Sequence, residues 1–274
     1  MGIAAASESR VARAFAPLRA RGQAGLVPFL PAGYPDLATT QSCLLAAQRA
    51  GATVIEVGIP FSDPIADGPV IQQAFAHALQ QRIRLADIFA AIGEIRSQLT
   101  VPVMAMVTYS IVYRIGLERF AEQAREAGLS GVILPDVPPP EAQDICHRFW
   151  ESGLDTTLLI APTTSPQRRG EIADLCSGFI YYLSVSGITG ERTALPADLA
   201  SNLKQIRQLT DKPLAVGFGI STAAHVRQLR GHADAAIVGS AIVRRMRDAA
   251  QKNAVISDVV ESYCQELAEG GREA

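Results

Sequence analysis

The sequence predicts an α/β protein with a (β/α)8 barrel fold, and three observations support this class. Eight short runs rich in β-branched residues recur along the 274 residues. Amphipathic helical stretches lie between them, and such alternation is typical of a parallel sheet. The runs are apolar on both faces, as expected for strands with helices outside and a packed interior. A doubly wound open sheet is the alternative, but no GxGxxG motif follows the first run.

The predicted elements begin with an extra helix before the first strand. Residues 7–23 place arginines and apolar residues at helical spacing, and Ser7 or Ser9 would cap the helix. The clearest of the later helices are 117–128 and 224–232. The eight predicted strands lie within residues 25–33, 53–60, 102–108, 131–138, 155–162, 179–187, 213–220 and 234–241.

Two connections are longer than the others and are expected to carry function. They follow the second and sixth predicted strands, at about 60–70 and 186–196. Long loops in a compact domain are usually functional lids. With no low-complexity linker in the chain, we expect residues 1–274 to form a single domain.

Composition excludes several classes of protein. The formal net charge of −2 offers no basic surface for nucleic acid, and no apolar run approaches the roughly 18 residues that span a bilayer. The N-terminus has no uninterrupted apolar segment of the signal-peptide kind. The four cysteines, which show no CxxC spacing, are expected to be reduced core thiols, although a disulfide is the alternative. These features predict a cytoplasmic protein.

One charged residue, Glu56, interrupts the second predicted strand. Because active sites of (β/α)8 barrels lie at the carboxyl ends of the strands, we expect its side chain in the barrel mouth. Burial would raise the pKa of this carboxyl and suit it to proton transfer, whereas a core ion pair is the structural alternative. Asp63 and Asp67 follow in the loop; one could serve as an ionised acceptor, although Asp is also an ordinary turn residue.

A phosphate site is predicted on the other side of the mouth. The loops after strands seven and eight hold phosphate in many barrels, on backbone N–H groups and a helix N-terminus. Gly217, Gly219 and Gly239 would let the backbone approach a ligand, and Ser240 adds a hydroxyl. Each glycine alone is equally consistent with a tight turn.

The positions of the lysines and histidines narrow the range of possible reaction mechanisms. A Schiff-base mechanism needs a lysine at a strand end, and a metal-dependent one needs a ligand cluster. The sequence predicts neither, because its lysines and histidines fall in helical or loop stretches: Lys204, Lys212, Lys252, His77, His147, His225 and His232. We therefore expect acid–base chemistry by carboxylates on a phosphorylated substrate, with no cofactor and no metal.

Six motifs, in order along nearly the whole chain, resemble the tryptophan synthase α-subunit family. They are PFLPAGYPD, IEVGIPFSDPIADGPVIQ, VILPDVP, SVSGITGER, VGFGIS and VGSAIV, and the second is highly specific. The resemblance implies a TIM barrel that cleaves indole-3-glycerol phosphate to indole and glyceraldehyde 3-phosphate. It also implies a partner, a pyridoxal-phosphate β subunit that consumes the indole in an α2β2 complex.

The resemblance also implies roles for individual residues. Glu56 matches the catalytic glutamate, Asp67 the catalytic aspartate and Tyr181 an active-site tyrosine. Asp63 and Pro64 lie where the family's loop meets the β subunit. Thr189 and Gly190 match the lid, and the phosphate contacts include Gly190. The remaining expected substrate-binding residues are Phe29, Gly217, Phe218, Gly219, Gly239 and Ser240.

The sequence departs from the family pattern at Pro31, Ser110, Ile111 and Ser130, none of which is a catalytic position. Ser110 and Ile111 replace a usual Asn-Pro pair near the subunit interface, and Pro31 replaces a threonine that could anchor the Asp67 loop. Two alternatives therefore stay open beside a tryptophan synthase α subunit. One is a free-standing lyase that supplies indole to a specialised pathway, and the other is a non-catalytic barrel that activates a partner.

Overall fold

Eight parallel strands close into a barrel in the computed structural model, which describes residues 9–64, 67–184, 195–217 and 219–272. Each strand pairs with its neighbours along the chain, and β1 pairs with β8, so the predicted barrel is confirmed. The strands are β1 (Gly25–Pro31), β2 (Ile55–Gly58), β3 (Val103–Met106), β4 (Gly131–Leu134), β5 (Asp155–Ile160), β6 (Ile180–Leu183), β7 (Leu214–Gly217) and β8 (Ala235–Val238).

Helices surround the barrel, and one more helix precedes it. They are α1 (Arg10–Arg19), α2 (Leu37–Arg49), α3 (Pro69–Gln80), α4 (Leu85–Ile95), α5 (Tyr109–Ile115), α6 (Leu117–Glu126), α7 (Pro139–Glu151), α8 (Pro166–Leu175), α9 (Leu199–Arg207), α10 (Ala223–Leu229), α11 (Ser240–Gln251) and α12 (Ile256–Arg272). The predicted N-terminal helix is confirmed as α1, and Ser9 caps it by accepting a hydrogen bond from the Ala12 N–H. The described residues 59–64, 67 and 68 lie in the predicted long loop between β2 and α3.

The barrel interior is filled by alternate residues of the strands. On β2, Ile55 and Val57 pack outward against the helices, whereas Val54, directly before the strand, belongs to the interior cluster. Since strand side chains alternate between faces, Glu56 shares the inward face of Val54. The α1 side chains Val11 and Phe15 join the same interior cluster and close the amino-terminal end of the barrel.

The state of the cysteines and the character of the helices agree with the expectations from composition. The described cysteines, Cys43, Cys146, Cys176 and Cys264, are all buried free thiols, as predicted. Burial raises the pKa of each of them, to about 11 or 12, which keeps them protonated. Among the described residues, no helix combines the length and apolar character needed to cross a membrane.

Candidate active site

Glu56 is the central feature of the barrel mouth. Its side chain is fully buried, and neither carboxylate oxygen has a hydrogen-bond partner among the described residues. Because burial disfavours the charged form and the nearby Asp67 adds repulsion, the pKa of Glu56 rises to about 8. A carboxyl in this state is protonated at neutral pH and can deliver a proton.

The loop after β2 brings Asp67 close to Glu56. Its end is held by backbone contacts: the Asp67 N–H donates to the Pro64 carbonyl at 3.0 Å, and Gln72 Nε2 donates to the Asp67 carbonyl at 2.8 Å. Burial raises the pKa of Asp67 to about 6. The two carboxyls therefore differ at neutral pH, because Asp67 ionises first while Glu56 keeps its proton.

Tyr181 on β6 forms another wall of the same mouth. Burial is the main cause that raises the pKa of its phenol well above the ordinary value, and Glu56 and Asp67 add to the shift. The ring fits because residue 217 is a glycine: a Cβ there would lie 2.5 Å from a Tyr181 ring carbon. Gly217 thus contributes space for Tyr181.

These residues line a cavity of about 500 Å³. Glu56 and Asp67 are among its polar groups, and its apolar part includes Phe29, which packs edge-on against Phe75 with ring centroids 6.3 Å apart. Gly58 leaves room for the Phe29 ring, which a side chain there would strike. The apolar lining also includes Ile59, Phe61, Ile71, Met106, Leu159 and Ile237. Such a space suits a flat aromatic ligand with a few polar groups.

The residues of the predicted phosphate site form one part of the cavity wall. Gly219, Gly239 and Ser240 line it, and Gly219 has a φ of +82°, which favours glycine. Helix α11 begins at Ser240. The Ile242 and Val243 N–H groups donate to the Gly239 carbonyl at 2.8 and 3.1 Å. The N–H groups of Ser240 and Ala241 have no acceptor within the helix and lie at the positive end of its dipole. A phosphate would find donors there.

A model of one protein family matches most of the chain. The family is described as tryptophan synthase alpha chain, and the match covers residues 15–272. The chain therefore belongs to the tryptophan synthase alpha chain family. Members of this family are lyases that cleave indole-3-glycerol phosphate in tryptophan biosynthesis.

Individual relatives agree with the family model. The chain is 42% identical to the tryptophan synthase alpha chain of Synechocystis over 94% of its own length and 97% of that protein. It is 47% identical to the Synechococcus elongatus protein over 85% and 88% of the two chains. A structure of Mycobacterium tuberculosis tryptophan synthase matches with a TM-score of 0.88 and 33% identity, covering 97% of this chain and 99% of that one.

The rim of the cavity carries Asp63 and Pro64, which match the tryptophan synthase α pattern, and two departures from that pattern, Ser110 and Ile111, lie beside it at the start of α5. Asp63 is exposed and accepts a hydrogen bond from the Ser62 hydroxyl at 2.6 Å, and Pro64 is half-buried. Ser110 is exposed at the start of α5 and lines the cavity, whereas Ile111 packs against the core.

The other two departures lie away from the rim. Pro31 is buried at the end of β1. Ser130 is buried just before β4, and its hydroxyl has no partner among the described residues.

Most of the predicted site residues lie together in this cavity. Phe29, Glu56, Asp67 and Tyr181 share it with the rim pair Asp63 and Pro64 and with Gly219, Gly239 and Ser240 of the predicted phosphate site. Gly217 lies behind Tyr181. The predicted residues Thr189, Gly190 and Phe218, and most of the predicted loop after β6, lie outside the described residues.

Sequence reasoning identified Phe29 but missed the rest of the apolar lining and the polar wall at Asp136. Met106 and Leu159 could have been found from strand alternation, since Met106 lies two residues after the inward Met104. Asp136 accepts hydrogen bonds from the Thr108 hydroxyl and from the Tyr109 N–H at 3.0 Å, so it anchors the start of α5. No local signal marks it as a wall of the cavity. Among the residues that the structure describes, no group of three or more His, Cys, Asp or Glu side chains is placed to hold a metal ion.

Proposed function

We propose that this cavity cleaves indole-3-glycerol phosphate by a retro-aldol reaction in which Glu56, Asp67 and Tyr181 are the catalytic residues. The single observation that carries the proposal is the buried Glu56 carboxyl, which has no partner among the described residues and faces an apolar cavity. A group held protonated at neutral pH is the acid that the reaction needs.

Glu56 would serve twice in the reaction. It first gives its proton to indole C3, which turns the ring into an electron sink. The resulting carboxylate then takes the proton of the glycerol hydroxyl next to the ring. The bond from C3 to the hydroxyl-bearing carbon breaks, that carbon becomes the aldehyde of glyceraldehyde 3-phosphate, and the electron pair returns to the ring. Glu56 ends protonated, so it is ready for another turnover.

Asp67 would act on the other side of the ring. Protonation at C3 places positive charge on the indole nitrogen. Asp67, whose pKa of about 6 leaves it mostly ionised at neutral pH, can accept the indole N–H and stabilise that charge. Tyr181 remains a neutral phenol beside both carboxyls and shapes the cavity around the ring.

The phosphate of the substrate would bind at the predicted phosphate site on the cavity wall. Backbone N–H groups at the start of α11, together with the Ser240 hydroxyl and the glycine backbone at 219 and 239, form this cradle. The sequence motifs extend the proposed contacts to Thr189, Gly190 and Phe218.

The partner is a tryptophan synthase β subunit. Members of the family form a complex with this subunit, and one matching structure is a tryptophan synthase complex from Pyrococcus furiosus, with a TM-score of 0.82 and 32% identity. Asp63 and Pro64, at the rim of the cavity, are the residues proposed to meet it. A cytoplasmic location and a single domain over residues 1–274 complete the proposal; the buried free thiols support the former.

Indole release from indole-3-glycerol phosphate, measured with and without a β subunit, tests the proposal. An α subunit should be slow alone and accelerate about tenfold or more with the partner, a barrier change of about 1.4 kcal/mol. A free-standing lyase would be fast alone and unresponsive. A barrel that releases no indole in either condition would contradict the proposal.

A further inference from the structure

The proposed phosphate cradle has two halves that belong to different βα units. One half is the loop after β7, represented in the cavity by Gly219 and Ile220. The other is the start of α11, represented by Gly239, Ser240 and Ala241. Backbone donors from both halves can bind one phosphate only if the distance between the halves is fixed. Contacts that hold the two backbone segments in place therefore affect the affinity for phosphate.

Two hydrogen bonds to the Ser221 backbone hold the loop after β7 on the side away from the cavity. The Ser221 carbonyl accepts a hydrogen bond from the Tyr263 hydroxyl at 2.5 Å, and the Ser221 N–H donates to His225 Nδ1 at 3.3 Å. Tyr263 and His225 are each only 5% exposed. Ser221 follows the cavity-lining Ile220 directly, so these contacts fix the backbone of the loop where it leaves the cradle.

The same tyrosine also contacts the helix that carries the other half. The guanidinium carbon of Arg245, on α11, lies 3.5 Å from the centre of the Tyr263 ring. Arg245 Nη1 in turn donates to the carbonyl of Ala241 at 3.2 Å. Tyr263 is therefore linked to the loop after β7 by its hydroxyl, and to the first turn of α11 through a cation–π contact.

We propose that Tyr263 is a positioning residue that sets the spacing between the two halves of the phosphate cradle. It lies on α12, outside the cavity lining, so it acts through Ser221 and Arg245 without contacting the substrate. The inference rests on the proposed function, since it concerns the phosphate end of that same site. It makes the C-terminal helix a determinant of affinity for the phosphorylated part of the substrate.

The test compares Tyr263→Phe with Tyr182→Phe in the full chain, alone and with its β subunit. Both substitutions remove one hydroxyl from a buried tyrosine, and the Tyr182 hydroxyl has no hydrogen-bond partner within the described part of the chain. For Tyr263→Phe, the KM for indole-3-glycerol phosphate should rise about five- to tenfold, as expected for one lost hydrogen bond. The kcat should change less than about twofold, and Tyr182→Phe should leave both constants unchanged.

Ligand fragments separate positioning from general destabilisation. Inhibition by glycerol 3-phosphate should weaken in Tyr263→Phe in parallel with the KM, whereas indole should bind as it does to the original chain. Arg245→Met, which removes the cation, should also weaken inhibition by glycerol 3-phosphate. Because Tyr263→Phe keeps the aromatic ring and Arg245→Met keeps the hydroxyl contact, the two variants probe the two links separately.

Several results would overturn the inference. An unchanged KM in Tyr263→Phe, an equal loss of indole binding, or an equal effect of Tyr182→Phe would each remove the positioning role. An original chain that is active but not inhibited by glycerol 3-phosphate would place the phosphate elsewhere and remove it too. An original chain that releases no indole would instead overturn the proposed function, and the inference with it.

Discussion

Buried carboxylates at the two ends of the barrel differ in their hydrogen bonding. Glu56, at the mouth, is fully buried and its oxygens have no partner among the described residues. Asp155, at the amino-terminal end of β5, is almost as buried at 6% exposure. Its carboxylate accepts hydrogen bonds from the Ser9 hydroxyl at 2.8 Å and the Val11 N–H at 3.2 Å. The two groups differ in partners far more than in burial.

Hydrogen bonding determines how far burial raises the pKa of each carboxyl. Burial raises the pKa of Asp155, but its hydrogen bonds from Ser9 and Val11 oppose the shift because they stabilise the charged form. At Glu56 no hydrogen bond from the described residues opposes burial, and the repulsion from Asp67 adds to it, so its pKa reaches about 8. Partnered carboxylates hold the fold together, whereas an unpartnered one is available for proton transfer.

Asp234 extends the comparison at the bottom of the barrel. It accepts hydrogen bonds from Arg207 at 2.6 Å and from the Leu214 N–H at 2.7 Å, and Arg19 of α1 lies 3.3 Å away. This carboxylate joins α1, α9 and β7. Asp155 and Asp234 at this end therefore join elements to one another, whereas Glu56 at the mouth faces the cavity.

Replacing the Glu56 carboxyl should have the largest effect. Glu56→Gln should lose roughly 10³-fold or more in indole release, because an amide cannot give or take the proton and this residue is used twice. Steady-state release of indole at saturating substrate measures the loss. A variant that kept more than about a tenth of the activity would exclude Glu56 from the proton transfers.

The same variant should fold well, which separates chemistry from stability. Glu56 has a folded pKa of about 8, above its ordinary value of 4.5. Its contribution to stability is thus complete below about pH 4.5 and is lost as the pH rises through 8. The free energy of unfolding of the original chain, measured with urea, should fall as the pH rises over that window. Glu56→Gln should remove this part of the pH dependence.

Asp67→Asn should have the next largest effect, a loss of roughly 10²-fold in kcat. Asparagine can still accept a hydrogen bond from the indole nitrogen but cannot neutralise the charge that develops there. As a control, Asp63→Asn on the same loop should keep its solitary activity within about twofold, because Asp63 is exposed at the rim. Equal losses in the two variants would mean that the loop is sensitive to any change.

The pH profile of kcat/KM should be bell-shaped. It should rise with pH near 6, as Asp67 ionises, and fall near 8, as Glu56 loses its proton. Outside these limits the change should be about tenfold per pH unit. In Asp67→Asn the falling limb should move to lower pH, since the repulsion that raises the pKa of Glu56 is gone; a limb that did not move would contradict the coupling of the two carboxyls.

Asp155→Asn should give the smallest effect on activity and a measurable one on stability. Losing the ionised acceptor for Ser9 and Val11 should lower the free energy of unfolding by about 1–2 kcal/mol, with kcat unchanged. Urea unfolding measures the difference. Asp144→Asn, in an exposed pair with Arg148, should cost less than about 1 kcal/mol. A similar cost for both would show that the partners of Asp155 add little.

The barrel and its mouth could be predicted from sequence because their signals are local. The strand runs and their alternation place Glu56 inside, and the motif around it identifies Asp67 in the following loop. The hydrogen bonds that hold these elements in place could not be predicted, because they join distant parts of the chain. Ser9 meets Asp155 across 146 positions, and Tyr263 meets Ser221 across 42, with nothing in either neighbourhood to mark the contact. Such pairs depend on how the helices pack.

The titration of Glu56 itself tests the account most directly. Glutamate labelled with ¹³C at the side-chain carboxyl gives a signal that shifts with ionisation, and Glu56→Gln assigns it by its loss. We expect the Glu56 signal to titrate near pH 8, so that the group is protonated at neutral pH. A midpoint near 4.5, the ordinary value for glutamate, would mean that Glu56 is charged and stabilised in the mouth, and would contradict its role as the acid.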